Sequence, residues 1–191
     1  MSLVMRAGEI TGRPVVTLDT AEDIAEVKDV VFSHSNGFLV GFTLNRRGWL
    51  GGPLKQVLPW SHVHALGPDA VMVASRDRLT APEADAFTGG DAEDVVSGRV
   101  ITDDGRELGT VTDIVLEVDV SEARVVGYEI GGPTVEQGPG SDQRYIPLPE
   151  TFAVSSDALI VPASVTNFIR DDLSGFGSAV DDFRAQLEEP T

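Results

Sequence analysis

The chain contains the same unit twice. Ile24-Ala25-Glu26-Val27-Lys28-Asp29-Val30-Val31-Phe32 lies over Leu108-Gly109-Thr110-Val111-Thr112-Asp113-Ile114-Val115-Leu116. Val40-Gly41-Phe42 lies over Val126-Gly127-Tyr128, and Leu58-Pro59 over Ile146-Pro147. Asp69-Ala70-Val71-Met72-Val73 lies over Asp157-Ala158-Leu159-Ile160-Val161, and Gly12-Arg13 over Gly98-Arg99. The offset drifts from 84 to 88 through small insertions between the blocks. One match could arise by chance, but not five in the same order. An internal repeat of this kind fixes the organisation before any single motif is read.

Each copy is a run of short strands. In the second, Val100-Ile101-Thr102 leads into Asp103-Asp104-Gly105, a turn whose glycine can take positive φ. Ile114, Leu116 and Val118 then alternate with the period of a half-buried strand. Arg124–Ile130, Tyr145–Leu148 and Ala158–Val161 complete the copy, and Gly131–Gln143 is a Gly/Pro-rich loop. The first copy follows the same plan: Val15–Leu18, Val27–Ser33, Phe38–Leu44, Val57–Trp60 and Ala70–Ala74, with Asn36-Gly37 as a hairpin turn. Five or six short strands with frequent turns predict an all-β fold, each copy a small barrel or sandwich, and closing the sheet would remove its edges. The first domain is expected over residues 6–75 and the second over residues 95–163. Between them residues 76–94 read as an acidic linker, with room for a short helix near Ala81–Phe87. Residues 164–191 read as a helical tail. There Phe176, Val180, Phe183 and Leu187 form an apolar stripe, with Asp181, Asp182, Glu188 and Glu189 opposite. The tail caps a barrel in one reading and docks a partner in the other.

Composition narrows the function. Apolar residues make up 41% of the chain, enough for a core, so disorder throughout is excluded. No stretch approaches the ~20 apolar residues that cross a bilayer, and Met1–Met5 is too short for a secretory leader, so the chain is expected in the cytoplasm. The absence of cysteine excludes disulfide scaffolds and thiol chemistry. The net charge of −17 falls almost wholly on residues 76–191, whereas residues 1–75 are close to neutral. That second part would repel a polyanion, so no direct nucleic-acid contact is expected. Solubility or a basic partner suits it better.

At these blocks the chain resembles the PRC-barrel family. The resemblance is carried in the second copy by Gly98-Arg99-Val100-Ile101, Asp104-Gly105-Arg106-Glu107-Leu108-Gly109-Thr110-Val111-Thr112-Asp113 and Arg124-Val125-Val126-Gly127-Tyr128. Tyr145-Ile146-Pro147-Leu148 and the run from Asp157 to Pro162 continue it. The first copy matches less closely: Ala25 stands where the signature has glycine, and its first turn lacks Asp-Gly. The family includes the cytoplasmic domain of the photosynthetic reaction-centre H subunit and the C-terminal domain of the ribosome maturation factor, which binds a ribosomal protein. Many other members are stand-alone bacterial or archaeal proteins. The resemblance implies two tandem PRC-like barrels used for protein–protein contact and not for catalysis.

His62 and His64 are spaced as a metal pair, but their counterparts are Glu150 and Phe152, and no third ligand stands near in sequence. Asp29 and Asp113 are equivalent, which fits a carboxylate bonding backbone N–H groups better than a catalytic one. No phosphate loop or nucleophile elbow is present. The chain is accordingly expected to be no enzyme and to hold no metal or cofactor. The stretch Asn45–Leu54 stands out instead. Arg46, Arg47, Trp49 and Leu50 share a glycine-rich loop, and Arg and Trp are enriched where proteins grip one another. The equivalent loop of the second copy is polar, so the copies differ where recognition would sit. These residues are the candidate protein-interaction site, for a partner or for self-association. The alternatives are a ribosome-assembly or RNA-processing accessory factor and a small-ligand or metal sensor.

Overall fold

The computed structural model describes residues 3–33, 36–48, 51–82, 90–91, 95–119, 122–132, 143–148 and 158–188. Its chain forms two compact units. One comprises Ala7–Glu93 and Asp119–Arg124, the other Met1–Arg6, Asp94–Val118 and Val125–Thr191. The strands are β1 (Leu3–Arg6), β2 (Pro14–Thr17), β3 (Asp23–Phe32), β4 (Leu39–Asn45), β5 (Pro53–Pro59), β6 (Val63–Leu66) and β7 (Val71–Val73). They continue as β8 (Gly90–Asp91), β9 (Arg99–Thr102), β10 (Glu107–Val118), β11 (Ala123–Gly131), β12 (Arg144–Pro147) and β13 (Ala158–Val161), before helix α1 (Phe176–Glu188).

The first repeat builds a sheet in the order β5-β4-β3-β2-β7-β6. Its two outer strands, β5 and β6, are consecutive in the chain and are joined only by a 3-10 turn at Trp60–His62. A single bent stretch therefore forms both edges, and the sheet curls round to meet itself. The second repeat gives β12-β11-β10-β9-β13 in the same order. Both copies contain one parallel pair at the same place: Val15 faces Val71, and Val100 faces Leu159. The all-β class and the two tandem PRC-like barrels are thus as expected.

The cores follow the alternation. Val15, Val27, Val30, Phe42, Leu44, Leu58, Val71 and Val73 fill the first barrel, all essentially inaccessible. Val100, Val111, Leu116, Ile130, Ile146, Leu159 and Val161 fill the second. Beside this second core Tyr128 is buried, and desolvation pushes its phenol up to about 12, so it stays neutral. The expected turns form where the glycines can supply them. Gly37 and Gly105 take φ of 70° and 89°, and the Gly105 N–H donates to the Thr102 carbonyl at 2.8 Å.

Ile114, Val115 and Leu116 are buried in succession, so that strand is covered on both faces. The second cover is the C-terminal helix. Phe176 and Val180 join Val115, Val126 and Tyr145 in one cluster, with Val4 and Leu173 packed against it. The rings of Tyr145 and Phe176 lie 5.9 Å apart, and those of Phe168 and Phe183 5.2 Å apart. The helix thus packs within its own unit. One member of the expected stripe departs: Leu187 is 46% exposed, and Ala179 takes its place among the buried positions. The stripe turns away from the barrel over the last turn.

Of the stretch read as linker, Arg76–Arg78 is a 3-10 turn, Leu79 is buried, and Thr80 bridges Val57. Arg170 bridges Tyr145 at the corresponding place in the second copy. Most of the expected short helix, residues 83–87, lies outside the described residues. Three strands fall outside every sequence-derived strand: β6, which pairs with β7, and β8 and β1. β8 pairs with β3, where Gly90 faces Phe32. β1 pairs with β10, where Met5 faces Leu116.

Candidate interaction site

Of the expected Arg46–Leu54 loop, residues 46–52 join β4 to β5, and Pro53 and Leu54 already belong to β5. Asn45 and Pro53 face each other as its last strand pair. The Arg46 N–H donates to the Gly52 carbonyl at 2.9 Å, and the Gly51 N–H to the Gly48 carbonyl at 2.8 Å. The glycines are required by this neck. Gly48 takes φ of +102°, a region that strains any L side chain, and a Cβ on Gly51 would lie 1.9 Å from the Arg46 carbonyl oxygen. Trp49 and Leu50, which come between Gly48 and Gly51 in sequence, lie outside the described residues.

The two arginines have different surroundings. The Arg47 guanidinium donates to Glu26 Oε2 and Asp23 Oδ2, each at 2.7 Å. The hydrogen bond that Arg47 donates to Glu26, then the charge of Asp23, raises the Arg47 pKa above its ordinary value. All three groups are well solvated, so the fork adds little stability and chiefly fixes geometry. It ties the loop back to β3. Arg46 is exposed, and no hydrogen bond or ion pair holds its guanidinium among the described residues. Of the four candidate residues, then, Arg47 is engaged within the molecule and Arg46 is presented to solvent.

Sequence reasoning missed Asp23 and Glu26. They lie 24 and 21 positions before Arg47, and only strand register brings them to it. Glu26 faces Asn45 across β3 and β4, which places the residue two further on beside the start of β3.

The other polar positions settle into structural roles. The Asp113 carboxylate accepts from the Ile114 N–H at 2.7 Å, as expected of a backbone-bonding aspartate. Asp29 departs from that expectation: it accepts from Thr43 Oγ1 at 3.1 Å and from Lys28 Nζ at 2.7 Å, both side chains. At the equivalents of Lys28 and Thr43 the second copy has Thr112 and Glu129, and Thr112 Oγ1 donates to Glu129 Oε1 at 2.8 Å. Glu129 is almost wholly buried and also accepts from Arg6 Nη1 at 3.2 Å. A carboxylate so buried would be costly without such partners.

Of the histidines, His62 Nδ1 lies 2.8 Å from the Arg78 carbonyl oxygen, which pins the β5–β6 corner to the turn at Arg76–Arg78. His64 is exposed. His34 lies outside the described residues. No group of three or more His, Asp or Glu that could hold a metal forms among the described residues. No described helix is long and apolar enough to cross a membrane.

No curated protein matches the chain. The model of the PRC-barrel domain matches it twice, over residues 3–79 and 91–166, each match spanning one repeat and together most of the sequence. Two matches to one domain, on two sheets of the same strand order, make the chain a tandem member of the PRC-barrel family.

Proposed function

We propose that this is a non-enzymatic binding or scaffold protein, and that it grips a protein partner through the loop from Arg46 to Leu54. The observation that carries the reading is the division of labour between adjacent arginines. Arg47 is clamped by two carboxylates at 2.7 Å, while Arg46 projects, exposed, from a neck that only glycine can form. A braced loop presenting a cation loses little entropy on binding. Trp49 and Leu50 supply the apolar anchor, and Arg46 the charge that selects an acidic or carbonyl-rich surface. Arg47 is a positioning residue. Membership of a family whose barrels make protein contacts supports the same reading.

Tagged chain recovered from its native source tests this. Partner recovery by the Arg46→Ala and Trp49→Ala variants should fall at least tenfold, with the melting temperature unchanged. Arg47→Lys should give a smaller loss, since a lysine cannot span both carboxylates. Equal recovery by all variants would remove the loop from the function.

A further inference from the structure

The segment before each repeat has a counterpart before the other. At an offset of 85, Met5 corresponds to Gly90 and Arg6 to Asp91. Each segment forms a strand, and neither pairs within its own repeat. β1, ahead of the first repeat, lies antiparallel on β10 of the second, with Leu3 to Arg6 facing Val118 to Val115. β8, ahead of the second repeat, lies antiparallel on β3 of the first, with Gly90 and Asp91 facing Phe32 and Val31. Val31 and Phe32 are the equivalents of Val115 and Leu116, so the same positions meet in both pairings. The exchange is reciprocal.

Such contacts join positions contributed by different repeats and do not require that both lie on one chain. β1 is four residues long and lies at the start of the chain's described residues; Met5 is its fully buried side chain, Val4 packs against the cluster under α1, and Arg6 pairs with Glu129. Arg6 ends the strand, and the next residue, Ala7, begins a 3-10 turn. A terminal strand can leave one molecule for the same place on another, because every docked contact is remade there.

We propose that β10 from Val115 to Val118 is a self-association site, and that its occupant in the associated state is the Leu3–Arg6 strand of a second copy. The inference stands apart from the Arg46 loop and does not rest on it. Within one chain the strand is held at an effective concentration of about 1 mM, so exchange competes only when the protein itself approaches that level or refolds there.

The chain has no cysteine, so an introduced pair reports without interference. Leu3 and Val118 are register partners, and Leu3→Cys/Val118→Cys places two thiols across the strand pair. Equal amounts of light and 15N-labelled variant are refolded together at about 1 µM and at about 1 mM, then oxidised and digested. At the lower concentration the 3–118 cross-link should carry a single isotope label. At the higher one a disulfide-linked dimer should appear whose 3–118 cross-link joins a light to a heavy chain. Single-label cross-links at both concentrations, or no cross-link at either, would overturn the proposal. So would a dimer in light scattering whose cross-link remains single-label, since the second copy would then sit elsewhere. Val4→Cys/Glu117→Cys, one register step along, repeats the test if the first pair does not fold.

Discussion

Gly127 has no room for a methyl group. A Cβ there would lie 2.3 Å from the Ile146 carbonyl oxygen and 2.4 Å from Phe176 Cζ. The first atom is backbone, so it cannot swing aside, and the second is the ring that seats α1 on the barrel. Gly127→Ala should therefore destabilise the protein by about 1–3 kcal/mol, read as a lower urea midpoint, with loss of near-ultraviolet signal from the displaced rings. An unchanged midpoint would mean that the helix does not sit in this notch. The glycine was visible in the sequence as a shared position, Gly41 and Gly127, but its partner was not. Sequence comparison shows that a place is fixed, whereas the Phe176 ring that fixes it lies 49 residues away. The same limit hid Asp23 and Glu26 from Arg47. Nor does the alignment of His64 with Phe152 say which side of the strand is wet, and His64 is exposed.

The helix α1 is set by the loop that leads into it. Asp172 Oδ1 accepts from the Ser174 N–H at 2.9 Å, the Gly175 N–H at 3.2 Å and the Ser174 hydroxyl. The Ser174 hydroxyl first, then the Gly175 N–H, holds the Asp172 carboxyl below its ordinary range. A carboxylate with a depressed folded pKa contributes stability that is present above the unfolded value and lost as pH falls through the folded one. Asp172→Asn should lower the melting temperature at pH 7, and the difference from the unaltered chain should vanish as pH drops below the ordinary aspartate range of about 4. A difference that persists in acid would show that charge is not what the loop uses. The elements themselves divide by how they signal. Long strands with one face inward announce themselves by alternation, and Gly105 and Gly37 mark their turns. β1, β6 and β8 went unread because two to four residues carry no period, and because β1 and β8 pair beyond their own repeat. The tail read as an amphipathic helix is one, though its stripe ends a turn early, at Phe183.

Over the whole molecule, duplication was the most legible property and strand exchange the least. Five aligned blocks reveal two barrels, yet nothing in a linear alignment says which copy a lead segment will join. The consequence is measurable. Removing Met1–Arg6 trims the first repeat in sequence, but the damage should appear in the second barrel. Amide hydrogen exchange across Val115–Val118 should quicken by an order of magnitude or more, as expected when a covering strand is lost, while Val71–Val73 keeps its protection. Equal loosening of both segments would contradict the pairing of β1 with β10.

This wiring also bears on how such a gene can change. A crossover that deleted one copy would leave the survivor carrying a short peptide with nothing in its own barrel to lie against, and a groove left bare. Such descendants could cover it again as pairs, each lending its end to a sibling. The doubled form and the single form are in that sense one design, separated by whether the two halves are inherited as one polypeptide or meet by diffusion.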